Sequence, residues 1–111
     1  MIIEKGEKVH IIRRRAFREE EKRHFVGETV ASEGAIIRVR GYSWVFDEAR
    51  GAFVRRDGIR EKIIAVGDMV IINIIPREIV LEDVAYRLKD GGLVVTDGKE
   101  FTLEINEFSP A

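Results

Sequence analysis

The 111-residue chain has no cysteine, which excludes disulfides, thiolate metal sites and a cysteine nucleophile together. It has no glutamine, and asparagine occurs only at positions 73 and 106. With abundant Ile, Glu and Arg, that is the composition heat-adapted proteins favour. Only two histidines are present. His10 and His24 fall on different expected strands and belong to no ligand spacing such as H-x-x-x-H, so no metal site is expected unless the two meet across a first hairpin. No run approaches the ~20 apolar residues that span a bilayer. The opening Met1-Ile2-Ile3-Glu4-Lys5 lacks a basic region followed by an apolar stretch, so a soluble, cytoplasmic protein with no membrane partner is expected. Charge of one sign is also missing: 19 Lys and Arg face 20 Asp and Glu, a formal −1. Any polyanion site must therefore be a local patch.

What the chain has is turn punctuation. Glu33-Gly34, Asp57-Gly58, Gly67-Asp68, Asp90-Gly91-Gly92 and Asp97-Gly98 separate short runs rich in Val, Ile, Phe and Thr, and such dipeptides supply the positive φ that hairpins need. Strands are expected over 8–12, 25–31, 35–41 continuing through 42–46, 52–56, 63–66, 69–75, 84–88, 93–95 and 101–105. The charged stretch 13–23 reads as a solvated loop or a long hairpin with its tip near Glu19 to Glu21. The continuous apolar runs around Gly67-Asp68 suggest strands buried on both faces. Pro76 ends the second of them because it lacks the donor a sheet interior needs. Residues 78–82 read as a short strand or bend. The fold class expected is all-β: a single small antiparallel barrel or two-layer sandwich of about 8 to 10 short strands in a hairpin meander, with little helix. One domain over 1–111 is expected, with its core in 8–106 and a loose end at 107–111.

Enzyme constellations are missing. Gly41-Tyr42-Ser43-Trp44-Val45 resembles a nucleophile elbow superficially, but Val45 replaces the closing glycine and no helix pattern follows. Ser43 is expected in a strand. Gly91 and Gly92 lack the strand and helix context of a phosphate cradle. The neighbouring carboxylates Asp47-Glu48 and Glu82-Asp83 point apart on a strand. No catalytic residue, no cofactor and no enzymatic activity are expected.

The sharpest pattern lies in 36–46. If the strand is unbroken, Arg38, Arg40, Tyr42, Trp44 and Phe46 share one face, and with Phe53 and Arg55 they form a platform for single-stranded nucleic acid. A bulge at Gly41 would instead shift the alternation, sending Tyr42, Trp44 and Phe46 into the same interior as Ile37 and Val39. Core packing is favoured, since each large aromatic buries roughly 150 to 250 Å². Arg13, Arg14, Arg15 and Arg18 could contact phosphates, but Glu19 to Glu21 repel the same ligand, and the two blocks could pair with each other.

The stretch 25–74 faintly resembles an oligonucleotide/oligosaccharide-binding barrel of the translation-factor type. Gly34-Ala35-Ile36-Ile37-Arg38-Val39 and Ala65-Val66-Gly67-Asp68-Met69-Val70 carry the resemblance, and SH3-like barrels share the Gly-Asp-x-Val step. The leading functional expectation is a non-enzymatic module that self-associates or binds a protein, because apolar strands such as 71–75 need pairing or cover. One alternative is single-stranded nucleic-acid binding through Arg38, Arg40, Tyr42, Trp44 and Arg55. Another is a small-molecule or enzymatic site in a barrel mouth, using His10, His24 and Glu28.

Overall fold

The computed structural model describes residues 2–14 and 22–105. It divides the chain into two compact units, Met1–Arg77 and Glu78–Ala111. Nine strands and no α-helix occur among the described residues, in a six-stranded and a three-stranded antiparallel sheet. No closed barrel is found among the described residues. The tip of the expected charged loop or hairpin, with Arg15 and Arg18, lies outside the described residues, as does the C-terminal end.

The first unit holds β1 (Lys8–Arg13), β2 (Arg23–Glu33), β3 (Ile36–Asp47), β4 (Ala52–Arg55), β5 (Arg60–Ala65) and β6 (Val70–Ile75). Strand β3 is long enough to take two partners in succession. Its second half pairs with β4 and its first half with β5. The Gly34 turn between β2 and β3 has the glycine at φ +57°, which a hairpin tip requires.

Gly67-Asp68 does not make a hairpin. Strand β5 bonds to β3 and β6 bonds to β1, at opposite ends of the order β5-β3-β2-β1-β6. Flat strands would separate those ends by ~19 Å, while the link 66–69 reaches at most ~17 Å. The sheet is therefore strongly curled. Val9, Ile11, Phe25, Ile37 and Val39 form its inner cluster, and both end strands pack on it, Ile64 from β5 and Val70 and Ile72 from β6.

Burial follows place in the sheet rather than local apolarity. Strand β1 lies between β2 and β6, and Val9, His10, Ile11 and Ile12 are all buried. The two runs expected to be buried on both faces lie instead at the ends, leaving Ile63 64% and Ile74 52% exposed.

The second unit contains a single 3-10 turn, Leu81–Asp83, where a short strand or bend was expected, then β7 (Ala85–Lys89), β8 (Gly92–Thr96) and β9 (Thr102–Glu104). Asp90 and Gly91, both at positive φ, close the β7–β8 hairpin between the paired Lys89 and Gly92. Two central residues at positive φ are the type I′ requirement. The Asp97 carboxylate accepts from the backbone N–H of Lys99 and Phe101 at 2.9 and 3.0 Å, which tightens the Gly98 turn and lowers the Asp97 pKa.

The two units carry opposite charge. Met1–Arg77 holds 16 Lys and Arg against 12 Asp and Glu, a formal +4, and Glu78–Ala111 holds 3 against 8, a formal −5. The near-neutral whole chain averages a basic sheet and an acidic one.

Candidate functional site

Strand β3 runs unbroken through Gly41, which pairs directly with Gly27. The bulge favoured from sequence at Gly41 is absent; the register shift falls on β2, between Thr29 and Ala31. Arg38, Arg40, Tyr42, Trp44 and Phe46 therefore share one face, and Ile37 and Val39 line the inner cluster on the other. Gly41 marks a close approach of two backbones instead of a kink. A Cβ there would lie 2.5 Å from the Gly27 Cα and 2.9 Å from the Val26 carbonyl carbon.

Arg55 lies opposite Trp44, so all five residues singled out for nucleic-acid binding lie on this outer face. Their exposure differs sharply. Arg38, Arg40 and Arg55 are exposed, Tyr42 is half-buried and Trp44 is 7% exposed. The Arg55 guanidinium sits 4.5 Å from the Tyr42 ring centroid, a cation–π contact that occupies one ring face. Arg38 pairs with Glu61 at 3.2 Å. The face assignment of the platform thus holds, but its indole is packed away, because a ring of that size contributes more buried than wet.

His10 and His24 do meet, as diagonal neighbours across β1 and β2, with ring centroids 5.2 Å apart. The His24 ring also lies 4.6 Å from that of Phe53, which meets Phe46 at 5.4 Å. Burial lowers the His10 pKa to about 4. His24 falls to about 3, through burial first and then the charges of His10 and Lys22. The Asn73 amide nitrogen, 3.3 Å from His10 Nδ1, suits a neutral ring that accepts there. Glu28 stands in a different row of this face, opposite Lys8 and Arg40, and is exposed. No group of three or more His, Asp or Glu able to hold a metal occurs among the described residues. The two neutral imidazoles, His10 buried and His24 half-buried, pack edge to face, and sequence spacing alone could not reveal their contact because it depends on strand register.

Ser43 is a strand residue on the inner face, opposite Phe25. Its hydroxyl, like that of Thr29, has no hydrogen-bond partner among the described residues.

Among the described residues, five strands are hydrogen-bonded on one side only: β4, β5, β6, β7 and β9. Four of them carry charged residues, the usual guard against unwanted pairing. Sequence reasoning picked out the apolar run 71–75 but could not place it at an edge. Strand β6, Val-Ile-Ile-Asn-Ile-Ile, has no charge, glycine or proline. Among the described residues, 71–75 make no backbone bond outside the ladder to β1.

No protein-family model, no curated protein and no solved structure matches the chain. No helix of the described residues is long and apolar enough to cross a membrane.

Proposed function

We propose that the protein is a non-enzymatic interaction module, a curled and partly open barrel that self-associates by adding the β6 edge of one copy to the β6 edge of another. The supporting observation is that β6 alone among the one-sided strands lacks any charged residue. Two copies related by a two-fold axis bring β6 against β6 antiparallel. The union extends the sheet, pairs the outward backbone groups and covers Ile74.

The nucleic-acid alternative through Arg38, Arg40, Tyr42, Trp44 and Arg55 draws less support, because Trp44 is buried and Arg55 covers a face of Tyr42. The alternative of a small-molecule or enzymatic site at His10, His24 and Glu28 draws less still. Both rings stay uncharged near neutral pH and Glu28 lies apart from them.

Sedimentation velocity tests the proposal. The natural chain should sediment as a dimer at micromolar concentration, and Ile74→Lys, which places a charge on an exposed edge position, as a folded monomer. A natural chain that stays monomeric at the highest soluble concentration would refute self-association. A dimer unaffected by Ile74→Lys would move the interface away from β6.

A further inference from the structure

Four cations converge on the inner face of the curled sheet, where the Arg38 to Trp44 platform has no part. Arg13 on β1 lies directly opposite Arg23 on β2, an arrangement of like charges that costs stability in a sheet. Arg60 and Lys62 on β5 are two residues apart and so share a face, paired to Gly41 and Val39 of β3. That face is the one bearing Phe25, Ile37 and Val39.

The glycine pair brings the four together. Gly27 and Gly41 have no side chains, and the Phe25 ring leans into the space, its Cε2 2.7 Å from where a Gly27 Cβ would stand. Lys62 reaches across the same bare row, and its ammonium lies 5.5 Å from the Phe25 ring centroid. Arg23 precedes Phe25 by two residues on the same face, with Arg13 across from it. Burial first, then the charges of Arg23, Arg60 and Arg13, holds the Lys62 ammonium below the ordinary lysine range. Lys62 thus lies over the Phe25 ring and feels the charges of the other three.

Among the described strand residues, acids are sparse on this face. On the strands β1, β2, β3, β5 and β6, the single acid sharing it is Asp47. Its carboxylate is engaged by the Ala49 and Arg50 backbone N–H groups and by the Arg50 guanidinium. Asp57 and Asp68 lie in the connections before β5 and β6, and Glu19 to Glu21, in the β1–β2 connection, lie outside the described residues. Glu61 points to the opposite face, where it pairs with Arg38.

We propose that Arg13, Arg23, Arg60 and Lys62 form a binding site for a compact oligophosphate, a di- or triphosphate group, held by charge-assisted hydrogen bonds. Guanidinium groups match phosphate oxygens two at a time, and an ammonium adds a point charge. The cations come from β1, β2 and β5 and all act on Lys62 rather than following one strand, which suits a compact anion better than a long polymer. The site is independent of the β6 edge.

Calorimetric titration of the natural chain with sodium tripolyphosphate at low salt tests the proposal. Binding is expected, weakening steeply as salt rises. Lys62→Glu and Arg60→Glu should each weaken it at least tenfold, while Arg38→Glu on the outer face should leave it unchanged. Lys62→Met supplies a control for folding. Removing one of four like charges should leave the phosphate-free protein at least as resistant to denaturant as the natural chain, yet still weaken tripolyphosphate binding. No binding of tripolyphosphate at low salt, or equal binding by Lys62→Glu, overturns the site. Binding of a thymidine oligonucleotide that depends on Lys62, with none of tripolyphosphate, overturns the ligand class in favour of a nucleic-acid chain.

Discussion

Gly41→Ala is expected to unfold the first unit or to cost at least ~3 kcal/mol of its stability, more than ordinary overpacking. The added Cβ would collide with the Val26 carbonyl and stand 2.5 Å from the Gly27 Cα, and both obstacles are backbone. A flexible side chain could turn aside, but a paired strand cannot without breaking its ladder. Since whole domains are stable by only ~5–15 kcal/mol, this single methyl group consumes much of the margin. Gly67→Ala is the matched control: nothing stands within 4 Å of its Cβ position and its φ is not positive. Urea unfolding followed by Trp44 emission should show a change within about ±0.5 kcal/mol for Gly67→Ala. Equal midpoints for the two variants would mean that β2 and β3 are not held so close at this pair.

Acidification from pH 7 to 5 is expected to destabilise the protein through His10 and His24. Their folded pKa values, about 4 and about 3, lie below the ordinary 6.5. Between those limits the unfolded chain binds protons that the folded one refuses, so stability is full above pH 6.5 and falls as pH drops. Each histidine contributes a slope of up to ~1.4 kcal/mol per pH unit, so by pH 5 the pair removes up to roughly 4 kcal/mol. This window lies above the reference range of carboxyl groups and within that of histidine. His10 accounts for its share down to about pH 4 and His24 down to about 3. Denaturant midpoints measured across this range should fall steadily, and His24→Phe should flatten the slope. A pH-independent midpoint between 7 and 5 would show that the imidazoles are hydrated.

Much of this architecture was legible locally. The glycine turns were readable because positive φ is a property of one or two residues, and Gly34 and the Asp90-Gly91 pair behave accordingly. The period-two alternation in 36–46 gave the two faces of β3 correctly once the strand is taken as unbroken. Gly41 was recognised as special, but sequence cannot separate a bulge from a close approach, because the distinction depends on what lies across the ladder. The link 66–69 looked like a hairpin, yet it joins opposite ends of a curled sheet. That error propagated: the apolar runs 63–66 and 69–75 were expected to be buried on both faces, whereas the strand with four consecutive buried residues is β1, between β2 and β6. The candidate sites suffered for the same reason. The His10–His24 contact and the Arg13, Arg23, Arg60 and Lys62 cluster both require register between distant strands. The whole-chain charge concealed a basic unit and an acidic one.

Hydrogen exchange of the Val70–Ile75 amides, followed as protein concentration rises, tests the edge-to-edge claim most directly. Amides of β6 that face away from β1 should exchange fast in dilute solution and become protected as copies associate, while the charged one-sided strand β4 keeps its dilute rate. Protection in β6 that is the same at every concentration, or that rises in β4 instead, would contradict association through β6.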